Sequence, residues 1–177
     1  MTRSELEHLI RASGAIIQDN ELIIIGSQSI LGQFPNPPKT LCVSMEVDLY
    51  PRHYPELADL VDGAIGEGSS FHAQYGYYAQ GVGPQTAILP SGWEDRLVRI
   101  ANENTRGVTG LCLEVHDLAI SKYAAGRPKD LEFTRELVRH KLVDHKTLVQ
   151  RLHKTKLPRS VSTLVNSRIE TDFRHRK

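Results

Sequence analysis

Residues 22–32 have the sequence LIIIGSQSILG, and this stretch decides the fold. Its four leading apolar residues predict a strand that is covered on both faces, as in the centre of a sheet. Gly26 and Ser27 end this strand, and the residues after them begin a helix. A glycine at such a junction lets the backbone approach a ligand closely, and the free N–H groups of a helix N-terminus favour phosphate. The alternative is a tight turn capped by Ser27, because a strand, Gly-Ser and a helix follow one another in many folds.

Two carboxylates alternate with apolar residues on the next predicted strand, which spans residues 41–49. The period of two places Glu46 and Asp48 on one face, about 6.5–7 Å apart at Cα. At that spacing their oxygens can converge on one or two divalent cations, and Mg²⁺ prefers few carboxylates together with waters and substrate phosphates. In phosphoryl or nucleotidyl transfer, such ions stabilise the attacking and leaving oxygens. The alternative is the polar outer face of an edge strand.

The remaining elements follow from periodicity and turn residues. The pattern predicts helices over residues 2–18, 54–65, 117–125, 130–141 and 144–153, a last helix from Pro158, a short strand over 86–89, and a hairpin of strands 96–100 and 110–115. Because strands precede helices, the chain is expected to be an α+β domain with a helical C-terminal part. The α/β core would span residues 1–115 and the helical region residues 116–177, joined in one compact unit.

Composition argues for a cytoplasmic protein with no membrane partner. The longest apolar run, residues 22–25, is far shorter than the roughly 20 residues that span a bilayer, and residues 1–5 lack the apolar block of a signal peptide. Cys42 and Cys112 both lie in apolar runs. We expect them to be reduced and buried, as is usual in the cytosol.

Charge divides the chain unequally. Residues 1–150 hold 14 Lys and Arg against 19 Asp and Glu, whereas residues 151–177 hold 8 against 2. The last segment is therefore expected to form a basic helical extension that engages RNA or an acidic partner. An apolar stripe would dock it on the body, formed by Val161, Leu164, Val165 and Ile169. The alternative is a solvated basic face without a partner.

The motifs together resemble a known superfamily. The order of strand, Gly26-Ser27, helix, strand and Glu46-x-Asp48 resembles the nucleotidyltransferases, whose palm-like fold is shared with polymerase beta. Residues 116–130, HDLAISKYAAGRPKD, resemble the Asp-Leu…Lys-x-x-Ala-x-Arg-x-Lys-Asp block of bacterial nucleotidyltransferase-like domains. These include abortive-infection and toxin–antitoxin nucleotidyltransferase toxins and a related uncharacterised family, which residues 89–96 also resemble. The resemblance covers roughly residues 5–145 and implies a nucleotidyltransferase-like mixed sheet flanked by helices.

The resemblance implies roles for the residues of the first two motifs. Gly26 and Ser27 would bind the phosphates of a nucleoside triphosphate (NTP). Glu46 and Asp48 would hold Mg²⁺ (or Mn²⁺) and take part in catalysis.

The resemblance also implies roles for residues of the later block. Lys122 and Asp130 match its Lys and Asp, which face the same cleft and count as catalytic, and Lys122 would also bind nucleotide. For Lys122 the alternative is an ion pair with Asp48 or Asp130. Arg127 could contact phosphate, with the alternative that it caps the C-terminal dipole of the preceding helix.

The sequence departs from the family pattern in three ways. Eighteen residues, including a proline-rich loop, separate Ser27 from Glu46, which is longer than the usual gap. The first carboxylate is Glu rather than the commoner Asp. The third metal ligand is open; Glu114 is the candidate, because Asp117 is expected to be a helix N-cap.

Two functions remain in competition. The first is magnesium-dependent transfer of a nucleoside monophosphate from an NTP to a protein or RNA acceptor such as tRNA, in a toxin–antitoxin or defence component with a cognate antitoxin or toxin as partner. The second is a nucleotidyltransferase fold that has lost turnover and serves as a binding or regulatory module, since a fold alone does not settle function.

Overall fold

The strands form one mixed sheet in a computed structural model that describes residues 1–175. They are β1 (Glu21–Ile24), β2 (Glu46–Pro51), β3 (Tyr78–Gly81), β4 (Val98–Ile100) and β5 (Thr109–Cys112). Their order is β3-β2-β1-β5-β4. β1 pairs antiparallel with β2 and parallel with β5, whereas β3 runs parallel to β2 and β4 antiparallel to β5. β1 therefore lies at the centre, and its buried side chains confirm the strand predicted from the apolar run.

The helices surround this sheet. They are α1 (Arg3–Ile17), α2 (Ile30–Gln33), α3 (Asp59–Ile65), α4 (Ser70–Tyr75), α5 (Val115–Ala125), α6 (Pro128–Arg139), α7 (His145–His153) and α8 (Arg159–Arg174). A capping box begins α1, because Thr2 accepts the N–H of Glu5 and the Glu5 carboxylate accepts the N–H of Thr2. The predicted α+β class is confirmed.

One continuous core joins the sheet to the C-terminal helices. Its buried residues run from Leu6 on α1 through β1 to Ile169 on α8. α5 lies at the centre of the helical part and packs against α6, α7 and α8. No helix within residues 1–175 has both the length and the apolar character that a bilayer crossing requires.

Two strand predictions were wrong. β2 begins only at Glu46, because residues 39–41 form a 3₁₀ turn after the proline-rich loop and residues 42–45 have no regular structure. The strand predicted over residues 86–89 is absent, and Pro84–Thr86 is a 3₁₀ turn. The strand that pairs with β2 at one edge of the sheet is instead β3, whose sequence YAQG does not alternate between apolar and polar residues.

The sequence predicted Asp117 as the N-cap of α5, and this prediction was wrong. Glu114 is the cap, and Asp117 lies fully buried in the first turn of α5. Its carboxylate accepts two hydrogen bonds from Arg96, at 2.8 and 3.1 Å, and lies 3.2 Å from Arg151 on α7. Burial raises the pKa of Asp117 despite the opposing effect of both arginines. This charge cluster ties the segment before β4 to α5 and α7.

The basic C-terminal segment is part of the fold. Val165 and Ile169 are fully buried, whereas Leu164 is 49% exposed, so the predicted apolar stripe is narrower than expected. Arg168 donates to the carbonyl oxygen of Tyr123 at 2.7 Å, and the Tyr123 hydroxyl donates to Asp172 at 2.8 Å. Arg176 and Lys177, which also belong to the basic segment 151–177, lie outside the described residues.

Asp117→Asn should lower the free energy of unfolding by about 3–5 kcal/mol, because it leaves two largely buried arginines without a counter-charge. Urea unfolding followed by circular dichroism measures this. Asp95→Asn is the matched control, since Asp95 is exposed in the same segment, and it should change stability by less than about 0.5 kcal/mol. Equal effects of the two substitutions would contradict a structural role for the buried cluster.

Candidate active site

A cleft of about 460 Å³ opens between β2 and the helices α5 and α6. The turn after β1, the segment before β2, and the first half of α6 contribute its walls. Its lining comprises Ser27, Gln28, Thr40, Leu41, Val43, Ser44, Glu46, Asp48, Thr86, Lys122, Arg127, Lys129, Asp130, Glu132 and Phe133. The structure thus brings together most of the predicted site residues, although they come from four separate parts of the chain.

Gly26 lies directly behind the carboxylate of Asp48. Its φ of −77° is open to any residue, so backbone conformation does not require glycine there. The requirement is steric, because a Cβ at Gly26 would overlap Oδ2 of Asp48. The backbone amide of Ile25 also donates to the carbonyl oxygen of Asp48 at 3.1 Å. The glycine therefore fixes how closely the turn after β1 approaches the carboxylate.

Glu46 and Asp48 lie on the cleft side of β2, while Val47 and Leu49 between and beyond them are fully buried. Burial raises the pKa of Glu46, and the neighbouring Asp48 charge raises it further. Two carboxylates under mutual repulsion form a favourable position for a divalent cation, which oxygen ligands of this kind can hold. Among residues 1–175 there is no group of three or more His, Cys, Asp or Glu side chains arranged to hold a metal.

Asp130 organises the opposite wall. Its carboxylate is 1% exposed, accepts hydrogen bonds from Arg127 at 2.6 and 3.2 Å, and lies 3.3 Å from the ammonium of Lys122. Burial alone would raise the pKa of Asp130, but the hydrogen bond from Arg127 and the charge of Lys122 outweigh it and lower the pKa. Of the two partners suggested for Lys122, the structure therefore pairs it with Asp130, while it still lines the cleft.

Arg127 is the N-cap residue of α6 and projects 58% of its side chain into solvent. It does not cap the C-terminus of α5, because the guanidinium of Arg168 occupies that position beside Gly126 and Tyr123. The hydrogen bond to Asp130 raises the pKa of Arg127, and the charges of Asp48 and Glu46 raise it further. The positive charge of Arg127 is therefore stabilised by Asp130 and also by the pair Glu46 and Asp48.

Ser27 and Gln28 belong to a 3₁₀ turn, Ser27–Ser29, that follows Gly26. Ser27 lines the cleft and is partly exposed. Gln28 also lines the cleft but is only 1% exposed, and neither polar atom of its amide has a hydrogen-bond partner within residues 1–175. Gln28 could not be singled out from the sequence, because a glutamine in a polar turn carries no signal that it is buried.

Glu114 is not among the described residues that line the cleft. Its carboxylate accepts the N–H of His116 at 3.1 Å and contacts Nδ1 of the same residue at 2.6 Å. Nε2 of His116 accepts the backbone N–H of Asp144 at 3.0 Å, which leaves Nδ1 to donate to Glu114. Burial raises the pKa of Glu114, but the hydrogen bond with His116 outweighs it and lowers the pKa. These contacts give Glu114 a clear capping role at α5.

Comparison with known proteins supplies a family. The model of a family described as "Nucleotidyltransferase of unknown function (DUF6036)" matches residues 4–175. No curated protein and no solved structure matches the chain significantly.

Gly26→Ala should weaken binding of Mn²⁺ by about 10- to 100-fold, because the added methyl group displaces the Asp48 carboxylate at an overpacking cost of about 1–3 kcal/mol. Isothermal titration with Mn²⁺ measures this. The matched control is Gly63→Ala on α3, where a Cβ meets no atom within 4 Å. It should leave Mn²⁺ binding unchanged and stabilise the helix by up to about 1 kcal/mol. Equal Mn²⁺ affinity for Gly26→Ala and the unchanged protein would place the cation elsewhere.

Proposed function

Since the chain belongs to the nucleotidyltransferases of unknown function, we propose that it transfers a nucleoside monophosphate from an NTP to a protein or RNA hydroxyl with the help of Mg²⁺ (or Mn²⁺). The observation that carries the proposal is that one cleft has an acidic wall and a basic wall. Glu46 and Asp48 line one wall, and the cations Lys122, Arg127 and Lys129 line the other. A polyphosphate with a bound cation has the charges that such a cleft complements.

The chain's own residues have separate tasks in this proposal. Glu46 and Asp48 would hold the divalent ion, which when bound stabilises charge on the attacking and leaving oxygens. Ser27 donates its hydroxyl to a phosphate oxygen beside the carboxylates. Arg127 has the exposure needed to reach a phosphate without leaving Asp130, because its guanidinium has five N–H donors. The Asp130 carboxylate keeps Lys122 in a fixed orientation, so that its ammonium meets the substrate without a large entropic cost.

A second candidate is a nucleotide-binding module without turnover. It is favoured by the capping contacts of Glu114, which occupy the carboxylate suggested as a third metal ligand. A cleft with two acidic side chains could bind a nucleotide and its cation while orienting the reacting groups poorly. Either function is compatible with a role in a toxin–antitoxin or defence pair, which rests on the resemblance of residues 116–130.

Incubation with each labelled NTP, Mg²⁺ or Mn²⁺, and total tRNA should transfer label to the RNA or to the protein itself. Asp48→Asn keeps the side-chain shape but removes one charge, and should lower the rate at least about 100-fold, since metal-assisted charge stabilisation amounts to several kcal/mol. Gel electrophoresis followed by autoradiography measures both. Asp59→Asn, an exposed residue of α3, is the control and should keep full activity.

The results separate the two candidates. NTP binding without transfer of label to any acceptor would support the binding module. Transfer that survives Asp48→Asn at full rate would contradict the assignment of the cleft as the active site.

The basic C-terminal segment offers a surface for an RNA acceptor. Lys154, Lys156 and Arg159 are exposed and follow α7 closely in sequence. Replacing all three with glutamine should weaken tRNA binding and reduce the slope of log affinity against log salt by about 2–3, because each phosphate contact contributes about 0.7–0.9 to that slope. Filter binding at several salt concentrations measures this. Truncation is unsuitable as a test, since this segment also supplies the buried Val165 and Ile169.

A control variant removes the same charge from the sheet part of the chain. It replaces Arg11, Arg52 and Arg106 with glutamine. If both triple variants reduce the salt slope equally, the segment provides only general positive charge. If neither reduces it, RNA contacts lie elsewhere.

A further inference from the structure

We propose that Gln28 recognises the nucleoside part of the nucleotide, through a hydrogen-bonded group that both donates and accepts. The inference rests on the proposed function, because it concerns the same cleft. Its starting observation is that Gln28 is 1% exposed and lines the cleft, while its Nε2 and Oε1 find no hydrogen-bond partner among residues 1–175.

A buried amide without hydrogen-bond partners destabilises a folded protein. Most buried polar atoms are hydrogen-bonded, and leaving one unsatisfied costs the free energy of removing it from water. A methionine would fill nearly the same volume without that cost. A nucleotide bound in the cleft that Gln28 lines would supply the contact that the ligand-free fold does not.

The chemistry of the amide selects among the parts of an NTP. A glutamine offers two N–H donors and one carbonyl acceptor. Phosphate oxygens at neutral pH only accept, so a phosphate would satisfy Nε2 and leave Oε1 unmatched. A ribose hydroxyl or the edge of a base presents a donor together with an acceptor, and either would satisfy both atoms of Gln28.

The apolar lining of the cleft supports the same assignment. Leu41, Val43 and Phe133 line it alongside the charged residues, and Val43 is 80% exposed. Leu41 and Phe133 are already buried, so Val43 is the side chain of the three whose apolar surface a nucleobase would remove from water, whereas a triphosphate gains nothing from it. The cleft thus contains charged groups suited to the phosphates and the exposed apolar side chain of Val43, which suits the nucleoside, with Gln28 available for the polar edge of the nucleoside.

Gln28→Met tests this by two measurements. Without ligand, the variant should melt about 2–4 °C higher than the unchanged protein, because it removes a buried amide that lacks hydrogen-bond partners. With Mg²⁺ present, its affinity for the preferred NTP should fall about tenfold, while its affinity for inorganic tripolyphosphate, which has no nucleoside, stays the same. Differential scanning fluorimetry and isothermal titration supply the two readouts.

The matched control is Ser29→Ala in the same turn. Ser29 is also buried with an unpartnered hydroxyl, but it is not among the described residues that line the cleft. This variant should leave NTP and tripolyphosphate affinity unchanged. Gln28→Leu repeats the experiment with a second apolar side chain, in case the methionine variant does not fold.

The ligands used in the titrations distinguish the two possible nucleoside groups. If Gln28 binds the ribose, the unchanged protein prefers an NTP to the matching deoxy-NTP, and Gln28→Met loses that preference. If it binds a base edge, the preference lost is the one among the four bases. Loss of both preferences to the same small extent, with tripolyphosphate also bound more weakly, would show a structural residue and overturn the inference.

Failure of the inference can be told apart from failure of the proposed function. If the unchanged protein binds no NTP, both are overturned. If it binds NTP and Gln28→Met binds it equally well, only the inference fails. A lower melting temperature of ligand-free Gln28→Met would likewise contradict it, because it would show that the amide already has a stabilising role in the free protein.

Discussion

The carboxylate of Asp130 is almost completely buried, so its charge has to be compensated by cationic side chains of the protein. This requirement determines how the basic wall of the cleft is built. The two cationic partners of Asp130 come from different places, Lys122 from the last turn of α5 and Arg127 from the junction with α6. Because both must reach one carboxylate, the turn between the two helices is fixed, and Lys122 is held at the cleft although its helix is largely buried. The cationic wall therefore depends on an anion beneath it. This coupling explains why a lysine and an aspartate eight positions apart in sequence belong to one site.

The two walls of the cleft differ in how completely their charges are compensated. Arg127 and Lys122 share the charge of Asp130, so their own repulsion is already reduced. For Glu46 and Asp48 the structure shows no ion pair with a cationic side chain among residues 1–175; burial and the charge of Asp48 raise the pKa of Glu46, and the charge of Lys129 opposes this. The acidic wall thus gains more from an added cation than the basic wall gains from an added anion. A cation-bound polyphosphate satisfies both, which is why the proposed substrate suits the cleft better than a free anion would.

Local sequence patterns predicted the elements that rest on local physics. The apolar run of β1, the amphipathic α1, the hairpin of β4 and β5 and the C-terminal helices are all present. β3 was missed because its position is determined by parallel pairing with β2, and Tyr78–Gly81 carries little apolar pattern of its own. The burial of Gln28 and Asp117 could not be predicted from local sequence either, since it depends on chain segments that are distant in sequence. The close approach of Gly26 to Asp48 is a steric relation between the turn after β1 and the strand β2, and sequence spacing does not give its distance.

The position of Glu114 bears on how catalysis would work in this cleft. Its carboxylate caps the first turn of α5 and fixes the His116 tautomer that accepts from Asp144. Moving it into the cleft would leave the amide of His116 without its partner and uncouple α5 from the start of α7. One side chain cannot hold this junction and ligate a cation in the cleft at the same time. In the proposed reaction, the remaining positions around the ion would therefore fall to water and phosphate oxygens, as Mg²⁺ accepts readily. Correct placement of the substrate would then depend more on the contacts of the nucleotide itself, with Lys122, Arg127 and Val43, than on a third carboxylate.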